Sequence, residues 1–403
     1  MPAALPIGEP APEDGSLPES ALAGMGSRPF GIYVHVPFCR VRCGYCDFNT
    51  YTADELGPGA SRASYAETAI AEVRRARRVL GDAEVPVRTV FFGGGTPTLL
   101  SPADLGSILQ AIDGEFGLTP DAEVTTESNP DSVDAVDLQA LRARGFNRIS
   151  FGMQSAVPHV LEVLDRTHDP RRVPQVVEWA RQAGFEQISL DLIYGTPGES
   201  LADWETTVES ALANRPDHVS AYSLIVEEGT ALARRVRRGE LAMPDEDDLA
   251  DKYVLVDERL TSAGLGWYEV SNWAKDDASR CRHNLLYWTG GDWWGVGPGA
   301  HSHVGGVRWW NVRHPAAYAD RIAAQQSPAH AREVLDEESR RVERVLLELR
   351  LRDGLAVDVL DAAGSANVPD LVARGLLTRT GDRLVPTRTG RLLADAIVRD
   401  LLP

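Results

Sequence analysis

Three of the four cysteines, Cys39, Cys43 and Cys46, fall within eight positions, in a C-x3-C-x2-C run that continues into Asp47 and Phe48. Thiols this close cannot all pair with one another, and as thiolates they suit a soft metal centre. On spacing alone two chemistries stay open. A structural zinc takes a fourth ligand, here Cys281 or a histidine; a [4Fe–4S] cubane on three thiolates leaves one iron free for an outside ligand. A second run, Phe91-Phe92-Gly93-Gly94-Gly95-Thr96-Pro97-Thr98, lacks the Gly-Lys-Ser/Thr of a phosphate loop. Its three glycines let backbone come close to a small ligand beside the cysteines. Further along, Glu127, Gln154 and Asp191 stand at or just beyond the ends of β-rich runs, with Arg166 between the last two. Each also has a plainer reading: Glu127 as a helix cap, Arg166 as the ion-pair partner of Asp165 or Asp169.

These positions need a scaffold, and the pattern from Phe30 onward supplies one. Short β-rich runs (31–36, 87–92, 123–127, 148–151, 187–193, 218–224) alternate with segments of 3.6-residue apolar period (65–80, 104–116, 133–144, 201–214). Strand–helix alternation demands parallel strands with right-handed crossovers. Six units are fewer than the eight of a closed barrel, so the expected fold is α/β, an open partial (β/α)6 TIM-type barrel over 29–265. Residues 1–28, with five prolines among small and acidic residues, read as a disordered tail. After Gly264 the composition changes. Seven of the nine tryptophans lie between Trp267 and Trp310, together with Cys281, His283, His301 and His303, and 266–330 reads as a separate region. Its plain reading is a satellite core with His283 hydrogen-bonded inside it. Residues 331–403 run helix, helix, hairpin, helix, a small winged-helix-like α+β domain with nearly balanced charge.

The 403 residues carry 41 basic and 59 acidic side chains, a net charge of −18, which argues against nucleic acid as a partner. Four cysteines are too few for a secreted disulfide framework and point to a reducing cytoplasm. No stretch is long and apolar enough to span a membrane, and the N-terminus lacks the features of a signal peptide.

The cysteine and glycine runs together resemble the radical S-adenosylmethionine (SAM) superfamily. There the open iron chelates SAM, and reduction of the cluster cleaves the sulfonium to a 5′-deoxyadenosyl radical. The resemblance makes Cys39, Cys43 and Cys46 the cluster ligands, with Tyr45 the aromatic residue that precedes the last of them. The stretches 33–39, Glu127-Ser128-Asn129-Pro130, 151–155, 164–168 and 191–197 resemble the oxygen-independent coproporphyrinogen oxidase-like branch. By position in those motifs Tyr33, Gly94, Gly95, Thr96, Glu127, Gln154, Arg166 and Asp191 would contact SAM.

Two features separate members of that branch. The oxidase pattern has a further cysteine two positions after the third, where this chain has Phe48. The motif Arg282-His283-Asn284-Leu285-Leu286-Tyr287-Trp288, directly after Cys281, is similar to that of a heme chaperone subgroup. That likeness implies heme bound near His283, Asn284, Tyr287 and Trp288, with His283 or Cys281 on the iron and Trp293 and Trp294 covering the macrocycle. It implies an acceptor protein for the heme, an electron donor for the cluster, and cluster and SAM gating heme release or the formation of a homodimer. Oxidative decarboxylation of coproporphyrinogen III and radical methyl transfer are the rival activities.

Overall fold

A computed structural model of the chain describes residues 8–56 and 61–402. A two-residue strand β1 (Glu9–Pro10) comes first, and then the six expected strands: β2 (Phe30–Val36), β3 (Val87–Gly94), β4 (Leu118–Ser128), β5 (Arg148–Gln154), β6 (Gln187–Tyr194) and β7 (His218–Ser223). All six are parallel and adjacent in chain order, which makes the open barrel. Alternation along β2 shows how they are layered. Ile32, Val34 and Val36 are fully buried in the core beneath the helices, while Tyr33 and His35 turn to the barrel interior beside Phe91 and His283.

The crossover helices have local reasons to start and stop where they do. Arg62–Leu80 begins at Ser61, whose hydroxyl accepts from the Ser64 N–H, and ends at Gly81 with φ 65°. Leu201–Ala213 opens with a reciprocal box between Ser200 and Asp203. The apolar faces of these helices join the strands in one core.

The Trp-rich stretch is not a region of its own. Its strands β8 (Gly266–Glu269) and β9 (Asn272–Ala274) extend the β7 edge antiparallel. The chain then crosses the molecule, and β10 (Asp292–Val296) joins the other edge as a seventh parallel strand beside β2. An antiparallel meander of β11 (His301–Val304), β12 (Val307–Asn311) and β13 (Ala329–Val334) continues outward, giving a thirteen-stranded sheet. The tryptophans are concentrated there because both new edges need large apolar side chains to bury.

The disordered tail expected for 1–28 is corrected over the described part, 8–28. β1 pairs antiparallel with β13, Ala21 is fully buried, and Leu17, Leu22 and Met25 pack on the core. Pro and acidic content hid a segment whose few apolar residues cover the open edge of the sheet. Residues 1–7 lie outside the described residues.

The C-terminal segment has a separate core around Val345, Leu349, Leu371, Leu384 and Ile397. The expected helix, helix, hairpin, helix is there with an added strand that makes the hairpin three-stranded and a last helix in two pieces: helix Glu337–Glu348, β14 (Leu355–Ala356), helix Ala362–Ala373, hairpin β15 (Leu377–Thr380) and β16 (Arg383–Pro386), then helices Arg388–Leu392 and Ala394–Leu401. Arg391 ties it to the barrel through a two-pronged pair with Asp257 at 2.9 Å and by lying over Trp267.

Candidate functional site

The loop after β2 carries all three clustered thiols across the C-terminal ends of the strands. They lie close enough to act on one another's ionisation: burial, then the Cys46 charge, pushes the Cys39 thiol up to about 11, and burial raises Cys46 as well. Thiols held this way favour the thiolate only when a cation joins them. Anchors hold the loop from several sides. The Gly44 N–H donates to Leu164 O and the Leu232 N–H to Gly44 O. Tyr45 packs on the small cluster of Val160, Leu164 and Leu232. Asn49 Nδ2 donates to Pro298 O at 3.0 Å and to Arg313 O at 2.8 Å.

The glycine run passes directly under these thiols. A Cβ on Gly95 would lie 2.5 Å from Phe38 O and 3.0 Å from Cys39 Sγ, so only glycine fits between the loop and whatever it holds. Thr96 is tied to the next strand end by Asn129 Nδ2 at 3.1 Å. Arg166 reaches into the same place, donating to Cys43 Sγ (3.5 Å), Asn129 Oδ1 (2.9 Å) and Gly152 O (2.7 Å), with a buried Nε–H left over. Asp165 does not pair with it and takes a left-handed φ of 54°. Gln154 is also left-handed, at φ 59°, where β5 slips against β6. A non-glycine residue in that region costs on the order of 1 kcal/mol, and such strain gathers where side chains must be aimed.

Deeper in the barrel, Glu127 accepts from the Gly94 N–H at 3.1 Å and Asp191 from Ser150 Oγ at 2.8 and 2.9 Å. Burial, reinforced by the charge of Asp191, pushes the Glu127 carboxyl up to about 8, and burial raises Asp191 too. Two buried carboxyl groups close enough for one charge to act on the other suit a polyhydroxylated or cationic ligand that replaces the lost water. Gly94, Gly95, Thr96, Glu127 and Gln154 thus stand at or just beyond strand ends around one mouth, with Tyr33 and Asp191 inside their strands below it and Arg166 reaching in from the loop after helix Pro158–Val163. Asn129 and Tyr222 belong with them and were missed. Asn129 joins Thr96 to Arg166, and strand alternation from Glu127 would have found it. Tyr222, at the end of β7 and 43% exposed, had no motif to mark it.

The second motif lies elsewhere. Its residues form the helix Arg282–Trp288, which enters the barrel interior instead of standing at the mouth. Gly31 makes room for it: a Cβ there would meet Leu286 at 2.8 Å and His283 at 3.4 Å. The first N–H groups of the helix, those of Arg282 and His283, donate to Glu123 at 3.1 and 3.0 Å, and Cys281 Sγ lies 3.7 Å from the same carboxylate. His283 is 1% exposed, with Nδ1 bonded to Thr89 Oγ1 at 2.8 Å and Nε2 to Tyr287 OH at 2.7 Å. It stacks on Phe91 at 5.3 Å, and burial pushes its pKa down to about 3. Asn284 and Trp288 serve Glu269, itself buried. Burial likewise drives the Cys281 thiol far up. As folded, these residues plug the barrel, and both nitrogens that would bind iron are spent. Trp293 stays partly exposed, while Trp294 is buried on the opposite face against Trp309.

Among the described residues no helix is long and apolar enough to cross a membrane. A family model of the radical SAM superfamily matches residues 33–211. The chain is 52% identical over 381 residues to the heme chaperone HemW of Mycobacterium tuberculosis (strain ATCC 25618 / H37Rv), covering 94% of this chain and 97% of that protein. It is 33% identical to the heme chaperone HemW of Bacillus subtilis (strain 168), covering 91% and 97%. Among solved structures, coproporphyrinogen III oxidase (HemN) of Escherichia coli superposes with a TM-score of 0.81 at 23% identity, over 96% of this chain and 94% of that one, which shows the fold. With the expected open barrel in place and these relatives matched from end to end, the chain belongs to the HemW family of the radical SAM superfamily.

Proposed function

We propose that this chain is a heme chaperone, binding heme and passing it to an acceptor protein, and that it carries a [4Fe–4S] cluster and SAM. The end-to-end likeness to the M. tuberculosis heme chaperone carries the reading, and Phe48 supports it by standing where the oxidase pattern has a further cysteine. Cys39, Cys43 and Cys46 would hold the cluster, and Tyr33, Tyr45, Gly94, Gly95, Thr96, Glu127, Gln154, Arg166 and Asp191 would surround SAM. The Gly95 contact, the leftover Arg166 N–H and the facing carboxyls fit those groups. When bound and reduced, the cluster supplies the electron that cleaves a sulfonium.

The chain's own residues do the positioning. Arg166 sets positive charge against the thiolates and offers its fork to a carboxylate. Glu127 and Asp191 present acceptors to hydroxyls, and the Asn129–Thr96 link holds the glycine run in line. An acceptor protein, an electron donor and a second copy of the chain are the partners of this reading, and a reducing cytoplasm is its compartment. One anaerobically reconstituted sample tests it in two arms. Hemin titration should saturate near one equivalent, and coproporphyrinogen III with SAM and reductant should give no protoporphyrinogen by mass spectrometry. Absent hemin binding, or clear turnover of the porphyrinogen, overturns the proposal.

A further inference from the structure

The heme reading leaves a question, because the imidazole of the recognised motif is locked inside the barrel. The sheet offers another. In a sheet, residues paired across strands share a face. Gly31 and Tyr33 of β2, which face the barrel interior, pair with Trp293 and Gly295 of β10. Trp293 pairs with His303 of β11, and His303 and His301 pair with Arg308 and Trp310 of β12. Ring contacts agree: Trp293 lies 5.2 Å from His303, and His301 stacks at 5.9 Å on Trp310. The interior face therefore runs on past β2 as a lateral shelf of tryptophan and histidine. Ser302, Val304 and Trp309 turn to the opposite side.

His301 is the accessible imidazole on that shelf. The residue keeps exposed surface, although burial of its ring, then the charge of Arg313, pushes its pKa down to about 4, and among the described residues no hydrogen bond to a ring nitrogen contributes to that shift. The backbone beneath is held, since Trp293 Nε1 donates to His301 O at 2.9 Å. His303 beside it has Nδ1 tied to Gly291 O at 2.9 Å. His301 also stands at the mouth end of the sheet, three residues past the Pro298 carbonyl that anchors Asn49 of the cysteine loop. Phe48, the neighbour of Asn49, is 64% exposed, an apolar ring with no packing role in the fold. A macrocycle needs one free imidazole and apolar surface for its face; Trp310 under His301 is itself buried, so that surface comes from the partly exposed Trp293 on the shelf and from Phe48 on the neighbouring loop, while both nitrogens of the plug's His283 are already bonded.

We propose that the heme iron is ligated by His301 on the lateral shelf beside the cysteine loop, and that His283 is a structural residue of the barrel plug. The inference rests on the heme-binding reading above. Heme held there adjoins the loop that carries the three thiols, so a change in that loop reaches the heme through Asn49 and the turn before β11.

The test is hemin titration of the anaerobically reconstituted full chain, followed by its Soret and visible bands. His301→Ala should weaken hemin binding by roughly ten-fold or more and shift the Soret band, and added imidazole should restore the band. His301→Met, which keeps a ligand of different chemistry, should move the band instead of removing it. His283→Ala should keep the wild-type bands while melting at a lower temperature. Wild-type bands and affinity in both His301 variants overturn the inference, as does a His283→Ala protein that folds, keeps its iron and loses the bands. Wild-type protein that takes up no hemin fails the chaperone reading itself, which separates the two outcomes.

Discussion

Asn49 is where the cysteine loop is fastened to the rest of the sheet, so removing its side chain should free the loop without touching a thiol. Its amide donates to Pro298 O at 3.0 Å and Arg313 O at 2.8 Å, and its Oδ1 accepts from Tyr51 OH at 3.1 Å. The first of these is partly shielded from water and the second is open to it. A net hydrogen bond contributes about 1 kcal/mol when shielded and less when water can replace it, so Asn49→Ala should cost about 1.5–2 kcal/mol of loop anchoring. That corresponds to a roughly 10- to 30-fold larger open population of the loop. If cluster loss proceeds through loop opening, the rate at which a chelator strips iron from anaerobically reconstituted protein should rise by the same factor. Global stability should change little, since the barrel core is untouched. Asn49→Asp should be worse than Ala, because it sets a carboxylate against two carbonyl oxygens. Wild-type iron release in Asn49→Ala, with the loop variant folded and loaded, would refute the anchoring argument.

Three further outcomes are expected. Gly95→Ala should lose iron on reconstitution while melting near the wild type, since its Cβ would press on Phe38 O and Cys39 Sγ and on little of the core; iron content and thermal melting on one sample check this. Thr89→Val should destabilise the fold by about 1–3 kcal/mol, because it leaves His283 Nδ1 buried and unpaired, yet hemin bands should be unchanged. Glu72, fully buried beneath Tyr318 and Asn311, has its carboxyl pushed up to about 7 by burial. The folded chain therefore keeps a proton that the unfolded chain releases from about pH 4.5 upward, and stability falls as pH rises through that window. The ceiling for this one group is about 3 kcal/mol; Glu72→Gln should flatten the pH dependence of the melting temperature by that share, and an unaltered slope would contradict it.

The parallel strands were legible because each is a short apolar run that ends in a polar or glycine-rich motif, and every residue needed to see this is local. The same holds for the thiols, which follow directly on the first parallel strand, and for Glu127, Gln154 and Asp191, which alternation within one strand turns to the barrel interior; Arg166 lies in a loop and only its motif marked it. Asn129 obeys that rule two positions after Glu127, whereas Tyr222 stands on a strand with no flanking motif. The N-terminal segment misled for the opposite reason. Its order comes from Ala21 and Leu17 meeting the far edge of the sheet, and no local pattern records an edge made by residues some three hundred positions later.

The histidines show the limit most clearly. His283 and His301 both stand in an aromatic-rich stretch, and local composition makes His283, inside a recognisable helix motif, the better ligand. What separates them is long-range. The Arg282–Trp288 helix packs among polar side chains, so Thr89, Glu123 and Glu269 from distant strands use up its donors and acceptors. His301 owes its freedom to β11 pairing with β12 in a register that stacks it on Trp310, and to β10 joining β2 in parallel across more than 250 residues of chain. A motif can mark a helix as important without making its histidine a ligand. On the assignment proposed above, the packing of this helix into the barrel is what uses the histidine, the tyrosine and both flanking carboxylate contacts.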